Sequence, residues 1–182
     1  MRSVRAILLS LMCCGSVHGE TPKEFVQGTS SDVIAYLEDG ALAPGEADRL
    51  LQSVDVESIS RFALGRYIRT VDTDLLPAYQ EAFYEHLKAA LQTHLDRLSK
   101  GEIAVQTVIP KGDDQATVET EVTDEDGEEL DVNWRLRRED GSWEIIDIEA
   151  LGMWLAIEQR AQFTAILGNN GGDLEELIEE LS

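Results

Sequence analysis

Asp147 is the acid best placed for chemistry. It stands between Ile146 and Ile148 in the mainly apolar segment Trp143 to Ala150. A carboxylate held among apolar neighbours has a raised pKa and suits a general base, although a hydrogen-bonded structural aspartate is the default for such a position. His86 and His94 are eight residues apart, not the four that bring two metal ligands onto one helix face. Asp124-Glu125-Asp126-Gly127 resembles part of a calcium loop, but Val122 stands where the first aspartate belongs and Asn133 where the closing glutamate belongs. That segment reads as an acidic hairpin turn. There is no Gly-rich phosphate loop and no Gly-x-Ser-x-Gly elbow. These residue types name no catalytic group, no metal-ligand set and no cofactor.

The cations cluster in two places. Arg61, Arg66 and Arg69 flank Phe62-Ala63-Leu64-Gly65, and Arg135, Arg137 and Arg138 share one strand-like segment. Such clusters suit a head group or an acidic partner. Internal charge balance is the default for them, because Arg135 and Arg137 fall on the sheet face of Glu119 and Glu121. Across 182 residues, 15 basic side chains face 36 acidic ones, a net charge of -21. That balance argues against nucleic acid, whose phosphates need cations, and against adsorption onto anionic lipid. A hydrophobic content of 43% is enough for a core.

Residues 1–19 read as a cleaved secretory signal: Arg2 and Arg5, then a mostly apolar run from Ala6 to Val17, then Gly19. Residues 20–182 form a single domain. Removing Arg2 and Arg5 from the 15 basic residues leaves 13 against 36 acids, a net charge of -23. Cys13 and Cys14 leave as well, so the exported chain must be held together by its core.

The elements that position these residues follow from periodicity. Phe25, Val26, Val33, Ile34 and Leu37 share a helical face ending near Gly40, and Glu46 to Ser53 forms a short helix. Asp55 or Ser53 caps a helix carrying Val56, Ile59, Phe62 and Ala63. The longest helix is expected from Thr73 to Leu98, with Pro77 in its first turn and Phe83, Leu87, Leu91, Leu95 and Leu98 as one stripe. Four strands follow, Ile103–Val105, Ala116–Thr123, Leu130–Arg137 and Trp143–Ala150. Helical spacing resumes after Gly152 with Met153, Trp154 and Ile157, and Asp173 caps a last helix. The fold class is α+β: a four-stranded antiparallel meander with N- and C-terminal helices on one face.

Parity sets the register. A three-residue loop Glu125-Asp126-Gly127 pairs Val118 with Trp134 and Val122 with Leu130. The same logic at Glu139-Asp140-Gly141 pairs Trp134 with Ile146 and Val132 with Ile148. One sheet face is then apolar and lies against the long Phe/Leu helix, either as a filled core or around a ligand cavity.

The order of local motifs carries a resemblance. Arg61-Phe62-Ala63-Leu64-Gly65-Arg66-Tyr67 precedes Tyr79-Gln80-Glu81-Ala82-Phe83-Tyr84-Glu85-His86-Leu87. Trp143-x-Ile145-x-Asp147-Ile148, Gly152, Arg160-x-x-Phe163 and a closing amphipathic helix follow. In this order the chain resembles the toluene-tolerance or MlaC family of periplasmic phospholipid-binding proteins, over nearly all of residues 20–182. The resemblance implies a cone-like fold with a lipid cavity and no enzyme activity. It implies a monomeric carrier in the periplasm of a Gram-negative bacterium. Its partners would be glycerophospholipid, an inner-membrane ABC transporter complex and an outer-membrane lipoprotein complex, with no nucleic acid, and its role the upkeep of outer-membrane lipid asymmetry. The helical cavity candidates are Phe62, Leu64, Tyr67, Phe83, Leu87 and Leu91. The sheet supplies Val118, Val122, Val132, Trp134, Ile146 and Ile148, and the segment after Gly152 supplies Met153 and Trp154. The net negative charge points to handover between proteins rather than direct extraction from a bilayer. Two other readings stand beside this one: an exported ketosteroid-isomerase-like enzyme with Asp147 as base, and a lipid-free structural adaptor with a filled core.

Overall fold

The computed structural model describes residues 19–38, 42–95, 101–124 and 126–181. The signal segment up to residue 18, the helix ends expected near Gly40 and Leu98, and the side chain of His94 lie outside the described residues.

Helices begin at Thr21, Asp55 and Asp173, where the sequence offers a side-chain cap. Helix α1 (Pro22–Tyr36) opens on a capping box, in which Thr21 accepts the Glu24 N–H and Glu24 accepts the Thr21 N–H. Before α2 (Pro44–Leu51), Glu46 accepts the Ala43 N–H at 2.9 Å. Helix α3 (Val56–Ala63) is capped by Asp55, which accepts the Ser58 N–H at 3.0 Å. A 3-10 turn (Gly65–Arg69) follows; Gly65 has φ +56, and a Cβ there would also meet Thr164 Cγ2 at 2.7 Å, so both backbone and space call for glycine. A second 3-10 turn (Thr73–Leu75), capped by Asp72, leads into α4 (Leu76–His94). Helix α4 therefore starts three residues later than the spacing suggests, with Pro77 in its first turn. Helices α5 (Leu155–Asn169) and α6 (Leu174–Leu181) close the chain, and Asp173 accepts the Glu175 N–H.

The sheet has five strands in the order β1-β2-β3-β4-β5, not four. Strands β1 (Glu102–Pro110), β2 (Gln115–Thr123), β3 (Glu129–Glu139) and β4 (Ser142–Ala150) form the expected antiparallel meander. The fifth strand, β5 (Met153–Trp154), returns against the end of β4, pairing Met153 with Ala150 and Trp154 with Glu149. Leu151 and Gly152 have φ +55 and +78, the signs of a type I′ turn, so the chain folds back before α5 can begin. Met153 and Trp154 are thus strand residues rather than the first turn of a helix.

The β2–β3 register is the expected one, Val118 opposite Trp134 and Val122 opposite Leu130, with Gly127 at φ +81. The β3–β4 register is not. Asp140 and Gly141 have φ +49 and +90 and make a two-residue type I′ turn, which sets Trp143 opposite Arg138 and Ile145 opposite Leu136. Continued unbroken, that register would place Asp147 against Trp134. A bulge at Ile146 corrects it, so that Asp147 meets Arg135 and Ile148 meets Trp134. Ile145, 2% exposed, is therefore the β4 residue in the sheet core, and Ile146 is only half-buried.

The outer edge of β4 is paired at two places. Near its start, Ile145 exchanges hydrogen bonds with Ser53 and Asp55, through an isolated bridge at Val54. Near its end β5 takes over. This leaves no long bare edge there for another chain to extend.

Among the described residues, three apolar clusters form the core. In the sheet cluster, Val26 of α1 packs with Ala116, Val118, Trp134, Leu136, Trp143 and Ile145. The helical cluster joins Ala63, Leu64, Tyr79, Phe83, Phe163 and Leu177 with their neighbours. The third binds α1 to α2 through Val33, Leu37, Leu42, Ala47 and Leu50. Helix α4 makes its main contacts with α6, α2 and α3, whereas α1, α3 and α5 pack against the sheet. The expectation of the long helix lying directly on the sheet's apolar face is corrected accordingly.

Candidate functional site

The helical cluster is built around aromatic edges. Phe163 meets Phe83 edge-on at 5.9 Å and Tyr79 at 6.4 Å. The Tyr79 hydroxyl donates to the Ser60 carbonyl at 2.9 Å, and burial pushes its pKa up. His86 lies edge-on to Phe163, with its pKa pushed down by burial. Phe83 and Leu64 are fully buried here, and Tyr67 and Leu87 sit at the margin. Tyr67 lies in the α5–α6 corner, against Gly168 and Gly172. Leu91 borders the α1–α2 cluster instead.

On the sheet, Val118 and Trp134 are buried, and Val132 and Ile148 are half-buried beside them. The Trp134 indole donates to Thr120 Oγ1 at 2.9 Å, and that hydroxyl donates to the Val132 carbonyl at 2.9 Å. Val122 is also buried. The remaining candidates sit elsewhere. The bulge takes Ile146 out of the sheet cluster. Phe62 is 43% exposed and Met153 52% exposed, so both are surface residues. Trp154 is half-buried under the Arg135 guanidinium, 3.9 Å from its ring centre. The fourteen candidates thus divide among separate clusters and the surface rather than lining one chamber. Two surface depressions of about 390 and 300 Å³ are lined by α1 residues with Trp143, or with Ile103, and neither draws on those fourteen.

Asp147 is buried, and its oxygens are taken up by the fold. Oδ1 accepts the N–H groups of Ile148 and Ala156 at 3.0 Å each. Oδ2 accepts from Arg135 at 3.3 Å. Ala156 is in the first turn of α5, so the carboxylate caps that helix from the neighbouring strand. Desolvation raises its pKa, against the lowering by the two backbone N–H groups and Arg135. Every one of these bonds is structural.

The sequence groups Arg137 with Arg135 and Arg138 and sets it on the face of Glu119 and Glu121, but the structure gives it other partners. Its guanidinium bonds Asp55 and also Glu139 at 2.9 Å, with Glu144 at 4.0 Å. These three carboxylates lie close enough to hold a cation, and the guanidinium among them already supplies one. Glu144 has a raised pKa, first from desolvation and then from the Asp55 and Glu139 charges. Asp55, which caps α3, is 82 residues from Arg137, and no local pattern announces so distant a pair. Asp124 closes its hairpin by accepting the N–H groups of Asp126 and Glu128 at 2.9 and 2.8 Å.

Comparison with known proteins adds three findings. A family model described as the MlaC protein matches residues 45–182. The toluene tolerance protein Ttg2D of Pseudomonas putida is 24% identical over 183 residues, covering 95% of this chain and 85% of that protein. The fold is similar to that of a phospholipid-binding protein of Ralstonia solanacearum, solved in complex with a phospholipid. That likeness has a TM-score of 0.73 and 19% identity, covering 86% of this chain and 92% of the other.

Proposed function

Because the chain belongs to the MlaC protein family, we propose that it is a carrier that binds a glycerophospholipid and moves it through the periplasm. Residues 1–19 would direct export and be removed. The carrier would exchange lipid with an inner-membrane ABC transporter complex and an outer-membrane lipoprotein complex, and so maintain outer-membrane lipid asymmetry. The phospholipid held by the Ralstonia relative supports the ligand class.

The observation that carries the reading is the division of the apolar interior. Leu87 and Leu91 border two different helical clusters, and Val132 and Ile148 border the sheet cluster. Half-buried apolar margins between separately packed clusters can part and re-form more cheaply than one interlocked core. Each acyl CH₂ kept from water is worth about 0.8 kcal/mol, so two chains offer ample return for opening such a seam. The bonds that occupy Asp147 argue for a structural carboxylate and against a catalytic base.

Native mass spectrometry of the exported protein, with lipid analysis of an organic extract, tests the proposal. Stoichiometric phospholipid is expected. The second reading, a lipid-free adaptor, is favoured by the fully buried Leu64, Phe83 and Val118. It predicts a protein that arrives lipid-free and takes up none from its transporter, and that result would sink the carrier.

A further inference from the structure

Among the described residues, the most exposed large apolar side chains gather in one region. Leu151 is 77% exposed, Ile157 53%, Met153 52% and Leu155 47%. Leu151 occupies the tip of the β4–β5 hairpin at φ +55, in the left-handed region that leucine adopts only under strain. Asn, Asp or Gly would sit there more easily. With so much of it in water, the leucine recovers nothing from packing.

Cations border this segment. Arg160, one turn beyond Ile157 on α5, lies over the exposed Phe62 ring at 4.9 Å. Arg135 covers Trp154 at 3.9 Å. Among the described residues, Arg160 forms no ion pair with a carboxylate, in a chain with 36 acidic residues. Between Ala150 and Arg160, Glu158 is the lone acid.

We propose that this tip is a bilayer-contact surface. Leu151, Met153, Leu155 and Ile157 enter the interfacial layer of a phospholipid membrane, and Arg160 and its neighbours meet the lipid phosphates. A hairpin tip is convex, which suits insertion between head groups better than a fit against a flat protein face. A tryptophan stacked with arginine beside it is chemistry suited to the membrane–water boundary. The net charge of -21 does not forbid this approach. At physiological ionic strength a charge is felt over about 8 Å, so the membrane senses Arg135 and Arg160 together with Glu149 and Glu158 beside the tip, and the acids on distant turns are screened. The inference rests on the carrier reading and deepens it: the protein would touch the bilayer while lipid changes hands.

Flotation of the protein with vesicles of phosphatidylcholine, alone or mixed with phosphatidylglycerol, tests the contact. Wild type should float with both. L151N should bind about ten-fold more weakly, the loss expected for one buried aliphatic side chain, and I157Q should weaken binding as well. I109Q, which alters an exposed isoleucine on β1 (41% exposed), should bind like wild type. L151N should unfold no earlier than wild type, because asparagine suits the turn, so weaker binding cannot be misfolding. Wild type that ignores both vesicles, or L151N that binds equally, overturns the proposal. So does a wild-type dimer that L151N dissociates, since a second copy would then cover the tip. Native mass spectrometry of the same samples separates the two readings. Wild type without lipid that still floats defeats the carrier alone, and lipid-loaded protein that does not float defeats the bilayer contact alone.

Discussion

Replacing Asp147 separates its two roles, helix cap and charge partner. In D147A, the Ala156 and Ile148 N–H groups lose the acceptor they now reach at 3.0 Å. A buried donor left without a partner costs about 1–3 kcal/mol. Two such losses, offset in part by no longer burying a carboxylate, give an expected destabilisation of about 3 kcal/mol. In a domain of this size that lowers Tm by about 6–12 °C. In D147N the side-chain oxygen can still accept both N–H groups, and only the attraction to Arg135 is lost. The raised pKa of Asp147 means that desolvation outweighs Arg135 and the two backbone N–H groups together, so ionising this carboxyl is harder in the folded chain than in the unfolded one. D147N should therefore stay within about 1 kcal/mol of wild type at neutral pH. The pH dependence follows with a definite sign. A folded-state pKa above the unfolded value means that the native state binds more protons between the two values. Wild type should then gain stability relative to D147N as pH falls through that window, from the raised value down to the ordinary carboxylate range. Urea unfolding followed by tryptophan fluorescence, at neutral and mildly acidic pH, measures both effects. If D147A and D147N were equally destabilised, the ion pair and not the cap would be the stabilising element, and the reasoning would fail. Lipid content should be unchanged in D147N; specific loss of a catalytic turnover in that variant would instead favour the enzyme reading.

Other outcomes follow from the same geometry. L87N and V132N should lower bound phospholipid per protein, measured by native mass spectrometry, well below the level in E121Q, whose residue lies on the opposite sheet face; equal loading in all three would reject the seam between clusters. G65A should cost about 2 kcal/mol in urea unfolding, because Gly65 is at φ +56 and a Cβ there crowds Thr164 and Arg160. G152A, at φ +78 with open space around it, should cost only about 1 kcal/mol. Raising salt from very low ionic strength should raise Tm by screening 36 acidic against 15 basic residues; a salt-independent Tm would show that the surplus charge is already balanced locally.

Local chemistry is where the sequence was most legible. The caps at Asp55 and Asp173 involve a side chain and an N–H two or three residues away, so residue type and spacing suffice. The β2–β3 register followed from a single turn ending in Gly127 and from matching apolar parity on the flanking strands. The β3–β4 register did not, because a different turn at Asp140-Gly141 and a compensating bulge at Ile146 act together. Either alone would set Asp147 against the wrong neighbour, and no pattern within one strand reveals a correction made for the sake of its partner. The same limit applied to the site. Periodicity marked Phe83, Leu87 and Leu91 as one helical stripe, but it could not say that the stripe serves different clusters. Nor could it say that Phe62 and Met153 reach the surface, or that Arg137 ties β3 to the cap of α3. The amino-acid sequence determined which residues would avoid water, through side-chain chemistry and local spacing. Which apolar faces meet was decided by the tertiary structure, because burial is non-directional, and only turns, bulges and distant ion pairs choose among the surfaces it could join.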